Sequence, residues 1–133
     1  MFDWRRPENL GARDGRLAPP RRTPNCVSSQ AGRADAEHYI EPIAFKAALP
    51  AAMAAARAAV ESMARSTVVR AEGPYLYAEC RSKLLGYVDD LELLFDERAG
   101  VFHVRSASRL GRKDFGVNRK RVEKLRALIQ SAR

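Results

Sequence analysis

The chain has 133 residues, with 24 Lys and Arg against 16 Asp and Glu, for a net charge of +8. That length holds one domain around one core, since domains cluster at ~100–150 residues, and 46% hydrophobic with 30% charged residues excludes global disorder. The longest apolar run, Ala47 to Ala56, is half of the ~20 residues a membrane span needs. The start, Met1-Phe2-Asp3-Trp4-Arg5-Arg6, has no apolar stretch behind its charges, so no signal peptide and a cytoplasmic location are expected. Two cysteines, Cys26 and Cys80, are too few for a disulfide scaffold or a four-ligand zinc site.

The charge is uneven. Residues 1–34 hold seven basic and three acidic side chains, residues 35–104 seven and eleven, and residues 105–133 ten and two. The whole excess of positive charge therefore lies in the last 29 residues.

Residues 1–34 are expected to form an extended arm, because Pro7, Pro19, Pro20 and Pro24 forbid a regular helix and apolar residues are sparse. The arm either drapes over the domain with Trp4 and Leu17 as anchors or forms a floppy tail, and composition favours neither. Residues 35–133 are expected to form a single domain. Leu49 to Ala64 is the strongest helix, rich in alanine, with Pro50 near its first turn and Met53, Ala56, Val60 and Met63 as an apolar stripe.

From Ser66 the period changes to two. Thr67–Arg70, Tyr75–Arg81, Leu84–Phe95 and Gly100–Arg109 are the expected strands, with a turn at Gly73-Pro74. A four-residue loop at Asp96–Ala99 would pair Leu93 with Phe102 and Leu91 with Val104. It would also set Asp90 opposite Arg105 and Glu92 opposite His103. The tail from Asn118 to Ala132 is a second amphipathic helix with Asn118 as its N-cap and Val122, Leu125 and Ile129 as its stripe. The expected fold is an α+β two-layer sandwich: an antiparallel sheet of about four strands, two helices on one face, and an extended N-terminal arm.

Three segments carry a resemblance: Arg16-Leu-Ala-Pro-Pro with Pro24-Asn-Cys-Val-Ser-Ser-Gln30; Gly86-Tyr-Val-Asp-Asp-Leu-Glu92; and Val104-Arg-Ser-Ala-Ser-Arg-Leu-Gly111 leading to Asp114-Phe-Gly-Val-Asn-Arg-Lys-Arg-Val-Glu123. In that order they resemble the bacterial and plastid family called domain of unknown function 1499, from about Pro7 to the C-terminus. The resemblance implies no assigned activity. Many members carry a membrane anchor or export signal, and neither is expected here. Members commonly have a further cysteine just before the Pro-Asn-Cys-Val motif; this sequence has Pro19-Pro20-Arg21 there, so any redox or pairing role of that cysteine does not carry over.

The sharpest constellation is Asp89, Asp90 and Glu92 facing Arg105 and Arg109, joined by Asp114, Asn118 and Arg119 where the last strand turns into the helix. Arginine forks suit carboxylates, so the cluster reads either as a site for an anionic ligand or as an internal salt-bridge lattice, and its built-in counter-charges favour the lattice. Ser106 and Ser108 are expected on the core side of the hairpin and His103 on the other, which leaves a serine nucleophile without a base. Asn25, Cys26, Ser28 and Ser29 form a turn-rich motif expected to lock the arm in place. A Cys26–Cys80 disulfide is disfavoured in a reducing compartment. No metal-ligand spacing or phosphate-binding glycine loop occurs, so no metal or cofactor is expected.

The expected function is that of a small non-catalytic binding or assembly module. Its basic C-terminal region would contact an acidic protein or an anionic membrane surface. The alternative is a receptor or enzyme for a small anionic ligand at Asp90, Arg105 and Arg109. A third reading, nucleic-acid phosphate binding, is disfavoured because Phe115 is the one aromatic in the basic region.

Overall fold

The computed structural model describes residues 5–83, 86–111 and 113–132. The candidate anchor Trp4, the expected strand start at Leu84 and the tail cation Arg112 lie outside them. In chain order the elements are β1 (Cys26–Ser28), β2 (Ile43–Ala44), α1 (Leu49–Ser62), β3 (Ser66–Glu72), β4 (Tyr75–Arg81), β5 (Val88–Asp96), β6 (Val101–Ser108) and α2 (Val117–Gln130). The six strands make one antiparallel sheet in the order β1-β6-β5-β4-β3, with β2 also on β6. This is the α+β fold read from the sequence, with six strands in place of about four. The two extra strands are two and three residues long, too short for a period-two signal to emerge.

Strand alternation sorts the side chains between two faces. Leu76, Ala78, Leu91, Leu93, Phe95, Phe102 and Val104 point to the helices and form the main core with Ala52, Ala56 and Val60 of α1 and Val122, Leu125 and Ile129 of α2. Tyr75, Tyr77 and Leu94 point the other way, where Leu17 and Leu10 of the arm cover them in a second, smaller cluster. Cys26 and Cys80 are buried free thiols.

The hairpin keeps its expected faces but sits two residues off the expected register. Phe95 pairs with Phe102, Leu93 with Val104 and Glu92 with Arg105, while Asp90 lies opposite Ala107 and His103 opposite Leu94. The loop is Glu97–Gly100, one residue later than expected, because Gly100 adopts φ +68°. Its N–H donates to the Asp96 carbonyl at 2.8 Å, and the Ala99 N–H to Asp96 Oδ1 at 3.0 Å. A left-handed residue of this kind belongs to a turn, and glycine takes it without steric cost.

The N-cap of α2 is Gly116, not Asn118. Capping comes from Asp114, whose Oδ1 accepts the Gly116 N–H at 2.9 Å and whose Oδ2 accepts the Asn118 N–H at 3.1 Å. An aspartate before the first turn both satisfies orphan donors and complements the helix dipole. Burial raises the Asp114 carboxyl, but the Asn118 side chain, together with those two backbone bonds, outweighs burial and holds it below its ordinary value.

Candidate functional site

The charged residues singled out in the sequence do not form one cluster, because the sheet runs between them. Asp90, Glu92, Arg105 and Arg109 lie on the arm side; Asp89, Asp114 and Asn118 lie on the helix side. Arg119 reaches neither. It points along the surface to the Ala36 and Glu37 carbonyls.

On the arm side, Arg109 grips Asp90 with two nitrogens, at 2.9 Å to Oδ2 and 2.8 Å to Oδ1. It also donates to Glu79 and to the Tyr77 hydroxyl. Tyr77 in turn donates to Asp90, and Arg6 from the arm reaches Glu79. The Arg109 guanidinium is pushed above its already high ordinary value by Asp90, and Glu79 sits below its ordinary value because Arg109 and Arg6 outweigh its burial. This is a fork-to-carboxylate geometry in which the protein's own acids occupy the donors.

Next to it, Glu92 is fully buried. One of its oxygens accepts from the Tyr75 hydroxyl and from the Gly11 N–H of the arm, at 2.8 Å for the latter. The other lies 3.7 Å from Arg105, too far for a hydrogen bond, and has no hydrogen-bond partner among the described residues. Burial raises the Glu92 carboxyl above its ordinary 4.5, outweighing Tyr75, Gly11 and Arg105. His103, on the same side, lies 3.3 Å from the Ser29 hydroxyl rather than against Glu92, and burial lowers its basicity.

On the helix side, Asn118 joins four segments. Its Oδ1 accepts from Ser106 at 2.7 Å and Arg121 at 2.8 Å, and its Nδ2 donates to the Asn25 carbonyl, the Ser108 hydroxyl and Asp114. Asn25 donates onward to the Leu110 and Gly111 carbonyls. Arg121 closes the cluster on Asp89 at 2.8 Å. The Ser28 hydroxyl accepts the Gln30 N–H, and the Ser29 hydroxyl accepts the Val104 N–H at 2.8 Å. His38 is buried between Asp35 and the Thr23 carbonyl. Burial lowers its basicity, but those two partners outweigh burial and raise it overall.

Above this network lies a cavity of about 630 Å³ between the end of the β5–β6 hairpin and the start of α2. Its lining includes the largely covered Asp89, Ser108 and Arg121 and four of the five large apolar residues exposed on the described surface, Tyr87, Leu110, Phe115 and Val117. Phe115 is 87% exposed and holds φ +53°, a left-handed conformation that costs a bulky side chain about 1–2 kcal/mol. Turn and cap together force this, since the backbone reverses between Asp114 and Gly116 while both Asp114 oxygens hold the helix start. Sequence reasoning passed over this patch. The available signal was Asp114-Phe-Gly-Val117, an aromatic and a valine beside a glycine just outside the apolar stripe of the helix.

Pairing has consumed much of the basic tail. Arg105, Arg109, Arg119, Arg121 and Arg126 are engaged by carboxylates or carbonyls. Lys113, Lys120 and Lys124 are exposed, with no ion pair among the described residues. Lys120 and Lys124 lie three and seven positions after Val117, so the three share one face of α2.

An antiparallel sheet with two helices on one face and an arm on the other defines an α+β protein whose polar clusters tie the arm and last helix to the hairpin. The chain belongs to the family described as protein of unknown function (DUF1499), whose family model matches residues 16–129, from the arm into the last turn of α2. No curated protein and no solved structure matches it.

Proposed function

We propose that the chain is a non-catalytic binding module that seats on an anionic membrane surface through the start of α2. One observation carries this: Tyr87, Leu110, Phe115 and Val117 gather at one spot, beside Lys113 and the exposed Lys120 and Lys124. Contiguous exposed apolar groups mark interaction surfaces, and an aromatic tip flanked by lysines suits the boundary between acyl chains and anionic headgroups. No helix among the described residues is long and apolar enough to cross a membrane. The strained backbone of Phe115 also fits, since strain kept at an exposed position points to use.

The arm-side cluster supports this reading by contrast. The donors of Arg109 are directed at Asp90, Glu79 and Tyr77, which fits a lattice holding the sheet and arm better than a site for an outside anion.

Sedimentation with phosphatidylserine-containing vesicles tests the proposal. Wild-type protein is expected to bind them and to ignore phosphatidylcholine vesicles. Lys120→Glu with Lys124→Glu removes at least about 2 kcal/mol at ~1 kcal/mol per lysine, or roughly thirtyfold. Retention on soluble polyglutamate without vesicle binding would assign an acidic protein partner instead, and retention on DNA alone would assign nucleic acid.

A further inference from the structure

We propose that the cavity behind Phe115 binds one molecule of an anionic single-chain amphiphile, its apolar body against Tyr87, Leu110 and Val117 and its charged head at Lys113. The inference deepens the membrane reading and rests on it for the source of the ligand. Its volume, about 630 Å³, falls in the ~300–1,000 Å³ range of pockets that take a whole small molecule. Such pockets are mostly apolar with a few polar groups, and this one has that make-up.

The polar groups decide the polarity of the ligand. Among the largely covered lining residues, Asp89 and Arg121 already pair at 2.8 Å, and the Ser108 hydroxyl accepts from Asn118. The Asp114 oxygens accept the Gly116 and Asn118 N–H groups and the Asn118 side chain. A ligand therefore meets satisfied partners at depth, where a polar group of its own would lose water without recompense. Lys113 is exposed, lines the same cavity, and has no ion pair among the described residues. The complementary molecule is apolar inside and carries one negative charge at the mouth. A lipid with one chain drawn from the surface and a free fatty acid share this chemistry.

Calorimetric titration of the full chain with dodecanoate, kept below its micelle concentration and followed by amide chemical shifts, tests the assignment. Saturable one-to-one binding is expected, with shifts at Leu110 and Val117. Lys113→Glu is expected to weaken binding about tenfold. Leu110→Asp, at a 39% exposed position outside the core, is expected to abolish it with the fold retained. Absence of saturable binding overturns the inference, as does equal binding of dodecyltrimethylammonium or unchanged binding by Leu110→Asp. If dodecanoate binds but vesicles do not, the membrane reading falls and the cavity assignment stands. Vesicle binding without dodecanoate binding gives the reverse. If dodecanoate and phosphatidylserine vesicles compete for the protein, the lipid chain is the source; binding without competition points to a free fatty acid.

Discussion

Replacing Arg109 with methionine isolates the arm-side lattice. The side chain is 7% exposed, and methionine keeps its stem while removing the guanidinium that grips Asp90, Glu79 and Tyr77. Glu79 keeps Arg6, but Asp90, 2% exposed, is left among the described residues with the Tyr77 hydroxyl alone. Stranding one member of a buried pair costs about 3–5 kcal/mol, a large part of a total stability of about 5–15 kcal/mol. With a urea slope of about 2 kcal/mol per molar for a domain of this size, the midpoint falls by about 2 M. Urea melts followed by circular dichroism read this directly. Asp90→Leu with Arg109→Met removes both charges and is expected to recover about 2 kcal/mol relative to the sum of the single changes. A single-variant cost below about 1 kcal/mol, or strict additivity in the double, would refute the lattice account.

Other expectations concern Glu92 and Asn118. Because burial raises the folded Glu92 carboxyl above its ordinary 4.5, the unfolded chain holds fewer protons than the folded one just above that pH. Wild type should therefore lose stability relative to Glu92→Gln as pH rises from about 4.5 through the folded value, and paired melts across that window check the sign. Asn118→Leu removes five side-chain hydrogen bonds, to Ser106, Arg121, the Asn25 carbonyl, Ser108 and Asp114, while Arg121 keeps Asp89 and the Asn25 carbonyl keeps the Ser108 N–H. It should cost at least about 3 kcal/mol at ~0.5–1.5 kcal/mol per bond lost, against about 1 kcal/mol for Ser106→Ala, in the same urea melts.

Much of the fold was legible because its elements obey single periods. The alternation of Tyr75–Arg81 matches β4 residue for residue, and Val122, Leu125 and Ile129 are the buried stripe of α2. The hairpin faces followed from the same rule, while its register depended on Gly100 taking a left-handed turn position that periodicity does not encode. The site was legible in composition but not in arrangement. Asp89 and Asp90 are adjacent in sequence and therefore point to opposite faces of a strand, which separates one apparent cluster into two networks. Tyr75, Tyr77 and Glu79 belong to the arm-side network through that same alternation. In sequence, Phe115 is the one aromatic of the basic region, without stacking companions. Its companions are the aliphatic Leu110 and Val117 and the aromatic Tyr87, brought near by the hairpin end.

Phe115 also separates stability from function. Glycine accepts φ +53° where phenylalanine is strained, so Phe115→Gly should be as stable as wild type or up to about 1 kcal/mol more so, because no buried contact is lost. The most direct measurement is the affinity of wild type and Phe115→Gly for phosphatidylserine vesicles, with melts of both proteins alongside. The account predicts that Phe115→Gly keeps its fold and loses at least tenfold in vesicle affinity, since burying a phenylalanine contributes about 1.5–3 kcal/mol. Equal affinity of the two proteins, or equal binding to neutral vesicles, would contradict it.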